Sequence, residues 1–176
     1  MRYRRTLIGG ATYFFTVNLA DRGSRLLVDH IDDFREAVRQ VRQAHDFEIV
    51  AWVVLPEHMH AVWALPHGDA DYSMRWNQIK GVFSRRIPKG ERISNSRTSK
   101  GERGIWQRRF WEHLIRDDDD LVRHVDYAHY NPVKHGHVDR AIDWPFSSFH
   151  RFVAREWLSA DWGCMGDLDG DFGERR

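Results

Sequence analysis

The sequence predicts an α+β fold, an antiparallel sheet with helices on one face and a C-terminal appendage. Three observations carry this. Strand-length runs rich in β-branched and aromatic residues alternate with stretches of helical periodicity, in the order strand, helix, strand, strand, helix, strand, helix. The two middle strands are separated only by the breaker Leu55-Pro56-Glu57, which makes them hairpin partners. The chain has 176 residues, 41% of them hydrophobic, enough for one domain with a real core.

Taken in order, residues 11–19 (ATYFFTVNL) follow the turn signal Gly9-Gly10 and read as the first strand. Residues 29–45 place Ile31, Phe34, Val38 and Val41 at helical spacing. Residues 47–54 (FEIVAWVV) read as a strand buried on both faces, and 58–65 (HMHAVWAL) as the next. After the turn Pro66-His67-Gly68-Asp69, a helix is expected over about 71–86, with Tyr72, Trp76, Ile79 and Phe83 as its apolar stripe. Residues 88–104 (PKGERISNSRTSKGERG) predict a mobile loop that a ligand orders. Residues 105–115 (IWQRRFWEHLI) fit a strand. Asp117 to Asp120 can cap a helix running to about 131, which Pro132 should end. Residues 1–162 are expected to form one domain, its appendage beginning near 133 around Trp144-Pro145-Phe146, and 163–176 a loose acidic tail. There is no internal repeat. The first six elements match the β-α-β-β-α-β ferredoxin-like arrangement. That fold hosts many functions, so function has to be argued from a site.

Composition narrows the classes. The single cysteine, Cys164, rules out an internal disulfide and a multi-cysteine zinc site, and fits a reducing cytoplasm. No apolar run approaches the roughly 20 residues that span a membrane, and the basic start MRYRRTLIGG has no long apolar stretch behind it, so no membrane partner and no secretory signal are expected. A net charge of +1 conceals an asymmetry: residues 75–109 hold eleven Lys or Arg against two acids, a local +9 that leaves −8 for the rest. Charge concentrated in this way is the footprint of a phosphate-binding surface. Arg85, Arg86, Lys80, Arg108 and Arg109 are the candidate phosphate contacts within it, joined by Arg4 and Arg5. Trp76 and Trp106, beside these cations, are candidates for stacking on unpaired bases.

The candidate chemistry sits elsewhere. His58-Met59-His60 opens a strand, so both imidazoles point to one face and can ligate one metal, while Met59 enters the core. The pattern is not H-E-x-x-H, and no Asp-His follows to build a binuclear hydrolase cluster. On the last helix, Leu121, Val122, Val125 and Ala128 define an apolar stripe. At about 100° per residue, Tyr127 lies about 200° from Val125, on the side of His124 and Asn131. Asn131, one turn on, projects an amide oxygen beside the phenol, which suits a nucleophile next to a third metal ligand. Tyr130 is the rival nucleophile; its i+4 partner, Lys134, lies beyond Pro132. A free tyrosine has a pKa near 10 and is a poor nucleophile at neutral pH. A metal beside the scissile phosphate stabilises the charge that develops. Attack on DNA then leaves a phosphotyrosine and a free 3′ hydroxyl, conserving the phosphodiester energy, so religation needs no nucleotide cofactor.

Five segments resemble one family. WVVLPEHMHAVW (52–63) resembles the HUH-motif strand of single-tyrosine transposases, and WQRRFWEH (106–113) and HVDYAHYNPVKHG (124–136) resemble the segments around their last strand and nucleophile helix. YRRTLIGGATYFFTVNL (3–19) and DWPFSSFHR (143–151) complete the pattern of one branch, the REP-associated tyrosine transposases. The likeness runs from about residue 3 to 162, and only the longer loop at 88–104 departs from it. It implies a ferredoxin-like fold, Mg²⁺ or Mn²⁺ on His58 and His60, Tyr127 as nucleophile and Asn131 as a further ligand. It also implies single-stranded DNA with REP-type hairpins as partner, cut beside the hairpin, in a cytoplasmic, nucleoid-associated setting. Related transposases can pair as homodimers, with the tyrosine of one subunit serving the histidines of the other. Imidazole-rich donor sets also suit zinc, which the sequence leaves open. Two competing functions remain: a non-catalytic hairpin-binding protein, and a metal-dependent nuclease that uses water.

Overall fold

The structure, a computed structural model, describes residues 7–163 apart from 92, 94 and 100. Arg4, Arg5, Cys164 and all but the first residue of the expected tail lie outside the described residues. The sheet comprises β1 (Thr12–Asn18), β2 (Glu48–Val54), β3 (His58–Ala64) and β4 (Trp111–Leu114) in the order β2-β3-β1-β4, every pairing antiparallel. This is the ferredoxin-like arrangement. The helices between strands, α2 (Ile31–Ala44, preceded by the short α1, Leu26–Asp29) and α3 (Tyr72–Arg86), pack side by side on one face. Tyr13, Phe15, Val17, Met59, Ala61 and Trp63 alternate toward that face. Trp76 stacks on Trp63 with ring centroids 4.1 Å apart, which centres an aromatic core.

The opposite face is covered by α5 (Asp118–Lys134), through Val125, Tyr127 and Ala128 against Phe14, Val53 and Val62. The sheet is thus buried on both sides at β1 and β3, and β3 is buried along nearly its whole length. β2, expected to be buried on both faces, is an edge strand whose first residue is exposed and next two half-buried, with a bulge between Ile49 and Ala51. Its outer edge is covered by the appendage. Ser148 accepts a bond from the Trp52 amide and donates to the Trp52 carbonyl, and the Val54 amide donates to Phe146 O. That pairing satisfies edge groups which would otherwise be open to solvent or to another chain. The appendage itself consists of a 3₁₀ turn at Ala141–Asp143 and α6 (Phe149–Ala154).

Three local expectations need correction. The strand expected over 105–115 is regular only at 111–114; Ile105 and Gln107 bond the chain at the end of β1, and the ladder breaks between them and β4. Within 88–104 the described residues include a short helix, α4 (Asn95–Thr98), and are pinned by Arg103, which bonds Glu91 and the carbonyls of Ser84, Ile87 and Pro88. Helix α5 does not end at Pro132. The missing proline N–H costs one bond in the last turn, and the helix runs on to Lys134, where His135 N caps Asn131 O.

Candidate active site

His58 and His60 stand on β3 facing α5, both fully buried. Each ring is held at Nδ1: His58 by Glu57 Oε1 at 2.8 Å, His60 by Thr16 Oγ1 at 3.0 Å across the β1–β3 pair. With Nδ1 so engaged, Nε2 is the remaining ring nitrogen of each, and the ring centroids lie 5.1 Å apart. A carboxylate or hydroxyl behind a ligating imidazole is the usual outer support of a metal site. Burial would raise the Glu57 carboxyl, but the hydrogen bond and charge of His58 outweigh it, so the group sits below its ordinary value.

Tyr127 approaches from α5. Its ring meets His60 edge-on at 5.2 Å and Phe14 at 6.1 Å. It is only 1% exposed, so the expected position opposite the buried stripe is wrong. Val122, assigned to that stripe, is 56% exposed instead. The face α5 buries runs through His124, Tyr127, Ala128 and Asn131, an i, i+3, i+4, i+7 pattern written mostly in polar residues. Asn131 is fully buried on the same face as Tyr127, one turn on. The tyrosine and the histidine pair come from one chain.

Four residues at this site carried no expectation. Glu57 and Thr16 support the histidines. Lys134 donates to the Tyr127 hydroxyl at 2.8 Å. His135 lies 5.2 Å from His58, ring to ring. The i+7 spacing of Tyr127 and Lys134, two turns on one face, would have exposed that contact had the helix been carried past Pro132.

A second group flanks the first. Asp120 bonds His113 Nε2 at 2.8 Å and approaches His124 Nδ1 at 3.2 Å, and the two imidazoles stack 4.4 Å apart. Their donor atoms lie close enough to suit a metal ion. Asp120 also accepts from Arg116 N and Arg123, and His124 Nδ1 bonds the Asp120 carbonyl. These bonds tie β4 to the first turn of α5. Burial pulls the His124 imidazole below its ordinary value.

The basic segment differs from its sequence reading. Trp76 and Trp106 are buried core residues rather than stacking platforms. Lys80 is buried too, donating to Gln107 O and lying over the Trp106 and Phe110 rings. Arg86 pairs with Asp33 and Arg108 with Glu102, while buried Arg75 pairs with Asp69. Arg85 and Arg109 are exposed, and no ion pair engages either among the described residues. Arg85 lines an open groove with Lys80, Arg97 and Arg108.

Such a fold, with paired histidines facing a helical tyrosine, defines a class. The family model described as "Transposase IS200 like" matches residues 11–127. A REP-associated tyrosine transposase of Escherichia coli (strain K12) is 49% identical over 174 residues, 98% of this chain and 96% of its own length. A relative from Haemophilus influenzae with the same family designation is 50% identical over 167 residues, 94% of this chain and 95% of its own. A solved REP-associated tyrosine transposase, bound to a REP hairpin, superposes with a TM-score of 0.85 at 48% identity, covering 100% of this chain and 98% of that one. The chain belongs to the REP-associated tyrosine transposases, within the IS200-like transposases, and is an enzyme that acts on DNA. Family and donor set are both compatible with a divalent metal. No helix among the described residues is long and apolar enough to cross a membrane.

Proposed function

We propose that this enzyme nicks and rejoins single-stranded DNA beside REP-type hairpins, with Tyr127 as the nucleophile. The observation that carries the reading is the edge-on meeting of Tyr127 with His60, next to His58, all three buried between β3 and α5. The 48%-identical relative with a REP hairpin supports the choice of DNA.

The donor set fits a divalent cation. His58 and His60 would hold it through Nε2, since each Nδ1 is engaged, and Asn131 is the nearby amide for a third position. Mg²⁺ or Mn²⁺ is the expected ion, with phosphate and water adding hard oxygen ligands, and zinc is the soft-donor alternative. When bound, the ion would neutralise charge on the scissile phosphate. Tyr127 Oη attacks phosphorus, the bond to the 3′ oxygen breaks, and the 5′ phosphate stays on the phenol. A 3′ hydroxyl reverses the step, so no nucleotide cofactor is needed. Glu57 and Thr16 fix the two imidazoles, and buried Phe14 helps hold the tyrosine ring in place. Tyr127 meets His60 within the one chain, which supports a site assembled in cis rather than from two copies.

The test is to incubate the full chain with labelled single-stranded DNA from the flanks of its own gene, with Mg²⁺, and to seek a denaturant-stable adduct. Tyr127→Phe is expected to bind DNA and form no adduct. Peptide mapping of the DNA onto Tyr130, or cutting by Tyr127→Phe at the wild-type rate, overturns the reading.

A further inference from the structure

We propose that Lys134 is a catalytic residue, whose ammonium stabilises the Tyr127 phenol oxygen as nucleophile in cleavage and as leaving group in religation. The inference rests on the reading of Tyr127 as nucleophile and adds the group that makes it reactive.

Lys134 ends α5, two helical turns after Tyr127, so both side chains lie on one face. Its Nζ donates to Tyr127 Oη at 2.8 Å and lies 4.6 Å from the centre of the same ring. Those two distances put the ammonium beside the C–O bond rather than beyond it in line with the ring axis. The other lone pair of the oxygen is therefore left to phosphorus. Tyr127 is buried and Lys134 is exposed, so the cation covers the phenol from the solvent side, where DNA must arrive. Groups from each element packed around the phenol face it. From β3 comes His60, edge-on at 5.2 Å, with His58 beyond it, and the loop after α5 sets His135 beside His58. From β1 comes uncharged Phe14, at 6.1 Å. From α5 itself come Lys134 and, one turn back, His124. Lys134 is the cationic side chain bonded to the phenol oxygen.

A charge-assisted hydrogen bond to an oxyanion is roughly twice as strong as a neutral one. An ammonium bonded to the phenol therefore favours the phenolate. The phenolic proton leaves to solvent before attack. The Oη–P bond then forms as the P–O3′ bond breaks, and the departing 3′ oxygen takes a proton from solvent. Lys134 takes no part in these proton transfers. In religation the same steps run backward, and the ammonium stabilises the phenolate as it departs.

The experiment measures single-turnover adduct formation and religation at saturating DNA, for wild type, Lys134→Met, Lys134→Arg and Tyr127→Phe. Lys134→Met is expected to slow both directions roughly tenfold or more. Lys134→Arg keeps a donor and is expected to recover most of the rate. Melting temperature and DNA affinity are expected to stay near wild type, since Lys134 is exposed. A wild-type rate in Lys134→Met, in both directions, overturns the proposal. So does a deficit seen only below saturating DNA, which would make Lys134 a phosphate anchor. An adduct formed by Tyr127→Phe sinks the nucleophile assignment itself, a separate result.

Discussion

His129 allows a stability prediction worked from one hydrogen-bond chain. Ser148 Oγ donates its only proton to Trp52 O at 3.1 Å and accepts from the Trp52 amide at 2.9 Å. The 2.9 Å bond from His129 to that oxygen must then be donated by Nε2–H. Nδ1 is left unprotonated and buried, with no hydrogen-bond partner among the described residues, where the rings of Phe149, Phe152 and Trp162 surround it. Burial, with a smaller contribution from Arg151, pushes the imidazole down to about 3. The unfolded chain binds this proton near 6.5 and the folded chain does not, so stability falls as pH drops below about 6.5 and levels off near 3. Between pH 7 and pH 5 the loss is about 2 kcal/mol, at roughly 1.4 kcal/mol per pH unit. His129→Gln keeps an N–H donor for Ser148 and removes the titration. Urea unfolding of both proteins at pH 7 and pH 5 measures the difference directly. Wild type is expected to lose about 2 kcal/mol more than the variant over that interval. Equal losses would mean that His129 binds its proton in the folded state, and the account of the closed pocket would be wrong.

Two further outcomes concern the site and the surface. His58→Ala with His60→Ala is expected to abolish cleavage and most Mn²⁺ binding while leaving hairpin affinity largely intact, whereas His113→Ala with His124→Ala should retain the cleavage-supporting ion; calorimetric titration of Mn²⁺ into each variant, alongside a nicking assay, tells the two groups apart. Arg85→Ala with Arg109→Ala should weaken DNA binding and make the slope of log affinity against log salt shallower by up to about 1.4, at about 0.7 for each single-strand phosphate no longer neutralised, and an unchanged slope would remove both arginines from the interface.

The sheet was legible because its signals are local. Alternation, breakers and the Pro56 hairpin set four strands, and their order along the chain with two helices matches the ferredoxin-like arrangement. The histidine pair was legible for the same reason, since strand period 2 fixes a shared face without any tertiary knowledge. Tyr127 was singled out with its side of the helix assigned wrongly. Apolar residues are a proxy for burial, and on α5 the proxy fails because the site itself is buried: His124, Tyr127 and Asn131 occupy the stripe, and Val122 is displaced to solvent. The arginine-rich segment misled for a different reason. A charge count cannot distinguish a cation facing phosphate from one spent on Asp33, Asp69, Glu91 or Glu102, partners up to 53 residues away.

The division of labour between the two sheet faces follows from those same residues. One face is closed by α2 and α3 over stacked tryptophans and phenylalanines, with the polar Tyr72 and Glu112 bonded to each other at 3.4 Å. That face carries much of the apolar burial, the main stabilising term in folding. The other face can then hold a row of buried imidazoles, a phenol and an amide, each costly to desolvate unless bonded. Glu57, Thr16, Asp120, Ser148 and Lys134 supply bonds that offset this cost. Replacing such a partner exposes its function. Where the loss is structural, as at Ser148 beneath His129, stability should change and chemistry should not. Where the partner touches the reacting oxygen, as Lys134 does, the rate should change in a protein that is otherwise equally folded.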